Sequence, residues 1–398
     1  MTSADTAEVY YDPFDFEIDN DPYPIWKRLR DEAPLYYNER FNFYALSRYE
    51  DVARELPNWE VYRSGRGTTI DIIMSGIEVP PGVILFEDPP LHDLHRRLLS
   101  RVFTPRRMAD IEPLTRQFCI RALDPLVGSH RFDLIGDLGA LVPMRTIGYL
   151  LGIPETDQAQ IRDRTGGAIG LQEGTFREVG PDAFENSYQL FSDYIDWRAE
   201  HPSDDLMTQL LNAEIDEGDG PRPLTRTEVL TYTSMIAGAG NETTTRLIGF
   251  IGQLLAEHPD QRAELVNDYS LIPGAIEEVL RYQAPSPVQA RYVARDTECR
   301  GQMIPEGSIM LLLNGSANRD ERHFPDGERF DIHRNASHLS FGQGLHFCLG
   351  SALARMQARV VLEELLTRWP EWEVDYAGAE MAHTSSVRGW GRLPIVVG

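Results

Sequence analysis

The sequence predicts a mainly α protein with a smaller β region, and three observations carry that expectation. The glycine-rich stretch Phe341-Gly342-Gln343-Gly344-Leu345-His346-Phe347-Cys348-Leu349-Gly350 runs into Leu353, Met356, Val360 and Leu365, whose spacing predicts a helix from about Leu349 to Arg368. A longer helical pattern begins at Thr225, where Thr225 and Glu228 form a capping-box pair, and ends at Glu257 before His258-Pro259. At about 1.5 Å per residue it would span roughly 50 Å, the whole width of such a molecule. Strand-like segments are short, and most of them fall in the last hundred residues.

Composition narrows the class. With 42% apolar and 25% charged residues the chain reads as an ordinary globular protein, and no linker divides its 398 residues, so one domain over 1–398 is expected. The acidic, polar N-terminus lacks an apolar run of anchor or signal length, and the first 20 or so residues read as an irregular arm. Three scattered cysteines, Cys119, Cys299 and Cys348, imply no disulfide framework and fit a cytoplasmic location. A net charge of −24 argues against nucleic acid and anionic membranes as partners. Lys27 is the only lysine, so nearly all the positive charge is arginine.

In chain order, Pro13, Pro22 and Pro24 keep the start irregular ahead of a short helix, Ile25 to Glu32. Leu35–Tyr37 and Asn42–Leu46 form an aromatic hairpin, followed by a helix from Arg48 to Leu56. Val61 to Phe86 holds Ile70, Ile72, Ile73, Met74, Ile77, Val79, Ile84 and Leu85 without a clear period, which predicts a long apolar loop. Pro89-Pro90 then starts a helix on which His92 and Arg96, four apart, share a face. Amphipathic helices fill Ile111 to Leu211, among them Pro143–Leu151 and Ala183–Ala199, and the glycines of Gly166 to Gly180 suggest a lid hinge or a flexible loop. A helix over Ile272–Tyr282 carries Glu278 and Arg281 on one face. The remaining elements are a strand over Val288–Ala294, a hairpin of Gly301–Pro305 with Ser308–Leu313, the segment Ala382–Val387 and a final strand, Leu393–Val397.

Two stretches concentrate the chemistry. Cys348 sits at a helix N-terminus, where the macrodipole favours thiolate. Gly342 and Gly344 allow backbone to approach a flat ligand, and Phe341 and Phe347 supply apolar walls. One thiolate cannot build a zinc site, which needs four ligands, but it suits an axial position on haem iron. In the long helix, Ala237-Gly238-Ala239-Gly240-Asn241-Glu242-Thr243-Thr244-Thr245 breaks the rules of a good helix, at a cost of about 1 kcal/mol per glycine. A kink, a close ligand or an inserted water is the usual reason.

The residues from Phe341 to Gly350 match Phe-Gly-x-Gly-x-(His/Arg)-x-Cys-x-Gly, the haem signature of the cytochrome P450 superfamily, at every defined position. Ala239-Gly240-Asn241-Glu242-Thr243 matches the family's (Ala/Gly)-Gly-x-(Asp/Glu)-Thr pattern, and His92 with Arg96 matches its His-x-x-x-Arg pattern. The chain therefore resembles the soluble bacterial type from about Asp21 onward. The resemblance implies a triangular-prism fold with haem b held between a long central helix and the cysteine helix. It implies Cys348 as the iron ligand, and His92, Arg96, Arg291 and His346 as propionate contacts, with Gly344 and Ala239 against the cofactor. Glu242 and Thr243 become the acid–alcohol pair that delivers protons, with Ala239 and Gly240 small enough to leave room for dioxygen. Glu278, Arg281 and Arg334 become a buried structural network. Ile72, Ile73, Ile84, Leu85, Met235, Val288, Gln289 and Ser386 are the expected substrate contacts, and Arg63, Arg66, Gln289 or His383 could meet a polar end.

The activity implied by this resemblance is that of a monooxygenase that hydroxylates or epoxidises a terpenoid, steroid or fatty acid. A ferredoxin-type donor would dock on Arg97, Arg101, Arg106 and Arg107, and a monomer is expected. Two other readings compete: a peroxygenase driven by H₂O₂, against which the intact Glu242–Thr243 pair speaks, and a haem sensor or carrier without turnover.

Overall fold

The computed structural model describes residues 8–167, 170–180, 182–335 and 337–398. Elements that frame the site are numbered in chain order. The helices are α1 (Leu91–Ser100), α2 (Pro105–Leu123), α3 (Leu141–Leu151), α4 (Arg226–Ala239), α5 (Glu242–Glu257), α6 (Ile272–Tyr282) and α7 (Ser351–Arg368). The strands are β1 (Leu35–Asn38), β2 (Phe43–Leu46), β3 (Tyr62–Arg63), β4 (Gln289–Val293) and β5 (Ile309–Leu312).

Helices build the main core. α7 packs along α2, with Leu353, Met356, Val360, Val361 and Leu365 buried against Ile111, Cys119 and Leu123. The π-helical turn Leu134–Gly139 lies on α5, where Gly249 and Gly252 leave room for Ile135 and Leu134. Leu134–Leu151 is apolar enough over 18 residues to cross a bilayer by composition, yet 67% of it is buried inside the protein. Its apolarity is explained by that core position.

The sheet is assembled from both ends of the chain, in the order β1-β2-β5-β4-β3. β2 pairs antiparallel with β1 and parallel with β5, so the expected aromatic hairpin forms but continues into a C-terminal strand. The predicted pairing of Gly301–Pro305 with Ser308–Leu313 does not occur. Gln302–Ile304 turns back onto Thr297–Cys299, while β5, buried at all four positions, joins the larger sheet. A fully apolar strand is better covered inside a sheet than in an exposed two-stranded ribbon.

Other expectations need correction. The N-terminal arm contains a helical turn, Phe16–Asn20, capped by the Asp15 carboxylate on two backbone N–H groups. Within the expected loop, Ile70–Ser75 is helical and ends on Gly76 at φ 63°. Ala183–Ala199 is two helices, Ala183–Gln189 and Ser192–Glu200. Of the proposed hinge, residues 168 and 169 lie outside the described residues. The following stretch is tied down, with Leu171 N–H donating to His383 O and Gly174 N–H to Phe14 O, each at 2.9 Å.

The long central helix is two helices. α4 ends at Ala239 and α5 starts at Glu242, with Gly240 and Asn241 between them. Threonine hydroxyls compete for the ladder there: Thr243 Oγ1 donates to Ala239 O at 3.1 Å, and Thr245 Oγ1 to Asn241 O at 3.0 Å.

The start of α4 is as expected. Thr225 and Glu228 form a complete capping box, and Arg222 donates to the Glu228 carboxylate through both terminal nitrogens at 2.9 Å. Arg222 and the Thr225 bonds hold the Glu228 carboxyl down from 4.5 to about 2 despite partial burial. A depressed folded value means that this stabilisation is full above about pH 4.5 and is lost as pH falls toward 2. Glu228→Gln is therefore expected to destabilise the protein at neutral pH, with its deficit relative to the wild type narrowing across that acid window. Denaturant unfolding at pH 7 and pH 3 checks it, and equal differences at both would refute it.

Candidate active site

Cys348 lies in a loop folded back on itself before α7. Its backbone N–H donates to Phe341 O at 2.8 Å, and a short 3₁₀ turn spans Gly344–His346. Gly342 and Gly344 adopt φ 69° and 71°, so the glycines are required by the turn itself. Gly344 has a second reason that the sequence did not disclose. A Cβ there would meet Pro57 at 2.6 Å, so its bare Cα accommodates the protein's own chain. Phe341 stacks under Arg355, 4.5 Å from its ring centre, and Phe347 is exposed.

The thiol is not lowered as the helix dipole alone suggests. Burial pushes Cys348 up, opposed by the Gly350 N–H and by Arg96 and Arg355. Desolvation of a thiolate outweighs one helix end and two cations at a distance. A bound metal would reverse that balance by taking the proton's place. Burial likewise raises Cys119, to about 12, and Cys299.

Four basic side chains from three parts of the chain gather beside this loop. The buried His92 ring on α1 lies 4.5 Å from that of His346. Arg96, one turn further, donates to Phe347 O at 2.6 Å. Arg291 on β4 is 3% exposed and donates to Ala290 O. Burial pulls Arg291 down to about 10, and burial, then the charges of Arg291, His92 and Arg96, pulls His346 down to about 3. The Nε2 atoms of His92 and His346 are buried without a partner, and among the described residues neither Arg96 nor Arg291 forms an ion pair. Asp88, whose charge steadies Arg291, is engaged by the N–H groups of Ser64 and Gly65. The Nδ1 of His92 contacts the exposed Asp93 carboxylate at 3.1 Å, but the two guanidinium groups without an ion pair, set beside partnerless imidazole nitrogens, are costly to enclose unless an anion joins them. A ligand with two carboxylates fits, as the propionates of haem require.

The helix break carries the other half of the motif. Ala239 is exposed, while a Cβ on Gly240 would strike Ile147 Cδ1 at 2.6 Å. Gly240 thus lets α3 approach, in place of the expected room for dioxygen. Glu242 is also not free: Arg246 binds its carboxylate at 2.6 Å and donates to Trp390 O at 2.6 Å.

Expected substrate contacts divide into groups. Val288 and Ser386 line a cleft of about 60 Å³ with Thr68, Thr69, Ile70, Leu171 and Val387. Ile73 packs on the neighbouring aromatic cluster, and Ile72 touches Gly67. Ile84 belongs to the main core and Met235 packs against it, whereas Leu85 is exposed. Gln289 is taken up by Ser286 at 2.9 Å. His383 is paired with Asp19 at 2.7 Å and stacked on Phe16, and Arg66 sits over Tyr292. Of the eight, Val288 and Ser386 line that cleft. Arg97, Arg101 and Arg106 are exposed and form no ion pair among the described residues; Arg107 donates to Asp204 O.

A helical fold with a cysteine loop, a cationic cluster beside it and a broken central helix defines a haem-thiolate protein. The model of the family described as Cytochrome P450 matches residues 182–378. Cytochrome P450 123 of Mycobacterium tuberculosis is 40% identical over 396 residues, covering 98% of this chain and 97% of its own. Among solved structures, a mutant of P450 EryK in complex with erythromycin B aligns with a TM-score of 0.86 and 31% identity, covering 96% of this chain and 97% of that one. CYP109E1 of Bacillus megaterium, in complex with testosterone, aligns with a TM-score of 0.86 and 27% identity, covering 96% and 99%. The chain belongs to the cytochrome P450 family. It is a monooxygenase enzyme whose cofactor is haem with a cysteine thiolate ligand, and its relatives take electrons from redox partners.

Proposed function

We propose that this protein, a cytoplasmic single-domain monomer, hydroxylates or epoxidises an apolar small molecule of steroid, terpenoid or fatty-acid type, with electrons from a ferredoxin and its reductase. The observation that carries the reading is the set of groups left open beside Cys348: the Arg96 and Arg291 guanidinium groups, which form no ion pair among the described residues, and the partnerless Nε2 atoms of His92 and His346. The erythromycin and testosterone complexes of its structural neighbours favour a bulky, largely apolar substrate.

When bound, haem supplies the activation of dioxygen, and a thiolate ligand pushes electron density toward O–O cleavage. The side chains do the rest. Cys348 is the thiolate, and the four basic residues give charge-assisted hydrogen bonds to propionates. Thr243 holds a proton on Oγ1. That proton now rests on the Ala239 carbonyl, so the hydroxyl must rotate away before it can give the proton up. Glu242 resupplies Thr243, and to do so its carboxylate must part from Arg246. Exposed Arg97, Arg101 and Arg106, with Arg107, attract an acidic ferredoxin and speed the encounter.

Turnover of a steroid, terpenoid and fatty-acid library with a ferredoxin, its reductase and reduced nicotinamide tests the proposal. Product formed equally well with H₂O₂ alone would favour a peroxygenase, and no product by either route would favour a carrier. Thr243→Ala is expected to lower product per nicotinamide oxidised by on the order of 10²-fold while nicotinamide consumption continues. Unchanged coupling would remove Thr243 from proton delivery.

A further inference from the structure

A buried acid–imidazole pair above the cationic cluster plays no part in the oxidation chemistry. Glu87 is 6% exposed and His95, on α1, is fully buried, and His95 Nδ1 lies 2.9 and 2.8 Å from the two Glu87 carboxylate oxygens. The same carboxylate accepts the Gly82 N–H at 2.6 Å, closing the segment 82–87 on itself. Gly82, at φ 97°, rests on α4, where a Cβ would come within 3.2 Å of Thr231. His95 meets Tyr232 of α4 edge-on at 5.6 Å.

Burying a carboxylate with an imidazole is costly in desolvation unless the pair is well bonded. Two apolar side chains would fill the same space without that cost. The pair also leaves the His95 Nε2 and Tyr232 hydroxyl buried and unpartnered, so simple packing does not account for it. What the pair adds is direction: a fixed bond between the apolar segment 77–87 and the helix that carries His92 and Arg96.

We propose that Glu87 and His95 are positioning residues that form a latch, clamping the segment 77–87 onto α1 and α4 and so setting how tightly a bulky ligand is enclosed at the haem. The proposal rests on reading this segment as the roof of the substrate site. His92 and His95, three apart on α1, share one face, so the helix that meets the cofactor also carries the latch.

The test uses the haem-loaded protein and 4-phenylimidazole as the bulky probe, with imidazole as the small one. His95→Phe fills the space and removes the bond; His95→Asn can place its amide nitrogen where Nδ1 lies. Amide exchange over 77–87 is expected to rise on the order of tenfold in His95→Phe, as loss of a hydrogen bond to a charged group implies. Exchange in α7 should stay unchanged. Dissociation of 4-phenylimidazole should speed up by a similar factor, imidazole should be little affected, and His95→Asn should restore both readouts. Glu87→Gln, which weakens the same bond, should repeat the effect if His95→Phe fails to load haem. Leu85→Trp, on the exposed part of the segment, separates failure of the latch from failure of the roof. If it alters 4-phenylimidazole binding while His95→Phe and Glu87→Gln change neither exchange nor dissociation, the latch is wrong and the roof stands. If Leu85→Trp leaves binding untouched, the roof reading falls and the latch with it. Exchange that rises throughout the protein would also overturn the latch, by showing a general loss of structure.

Discussion

Cys348→Ala is expected to cost turnover about three orders of magnitude or more, the scale on which enzymes respond to loss of an essential group. The ferrous–carbon monoxide spectrum should lose the red-shifted Soret band of thiolate-ligated haem. No other cysteine can substitute. Cys119, on α2, is fully buried in the main core, and Cys299 is buried in a separate apolar cluster with residues of β5. The fold should tolerate the change, because Cys348 is not part of those clusters and its backbone bond to Phe341 O survives. The variant should therefore remain folded, and haem uptake then reports how much of the binding comes from His92, Arg96, Arg291 and His346. An unshifted thiolate-type band in Cys348→Ala would overturn the assignment of this residue.

Glu278→Ala is expected to destabilise the protein by roughly 3–5 kcal/mol, the cost of stranding a buried charge. Arg281 is fully buried and donates twice to Glu278, at 2.7 and 2.8 Å, and its remaining N–H groups go to the carbonyls of Asn318, Gly327 and Arg329. Arg334 reaches the same carboxylate at 3.2 Å, and the Asp331 N–H at 2.9 Å. One side chain thus ties α6 to the irregular stretch that precedes the cysteine loop. Denaturant unfolding of the variant, with haem retention as a second signal, measures the loss. A change under about 1 kcal/mol, typical of an exposed pair, would show that the network is dispensable.

Parts of this site were legible because their spacing is local. His92 and Arg96 share a helical face by geometry, Thr225 and Glu228 cap a helix through three residues, and the turn around Cys348 needs its glycines. Glu278, Arg281 and Arg334 gather as the family resemblance implied. Other residues were misread because their partners are distant in the chain. Nothing near Gly344 points to Pro57, and nothing near Gly240 points to Ile147. The ion pair of Glu242 with Arg246 has legible four-residue spacing, but the Trp390 carbonyl that anchors Arg246 does not. The Glu87–His95 pair went unnoticed for the same reason: a loop acid and a helix histidine eight apart have no periodic signature.

The sequence alone determined that the chain is a haem-thiolate protein, since a ligand loop and a helix motif are short patterns whose chemistry lies in adjacent residues. It also determined such helices as α6 and α7, whose apolar faces repeat within a few residues. Tertiary structure decided the rest: which strand β5 joins, that the central helix breaks at Gly240-Asn241, and that the His92 ring of α1 meets His346. It decided, too, that Cys348 is raised by burial while its helix end pulls the other way. Desolvation and close packing depend on what surrounds a side chain in space, and a linear pattern does not record that.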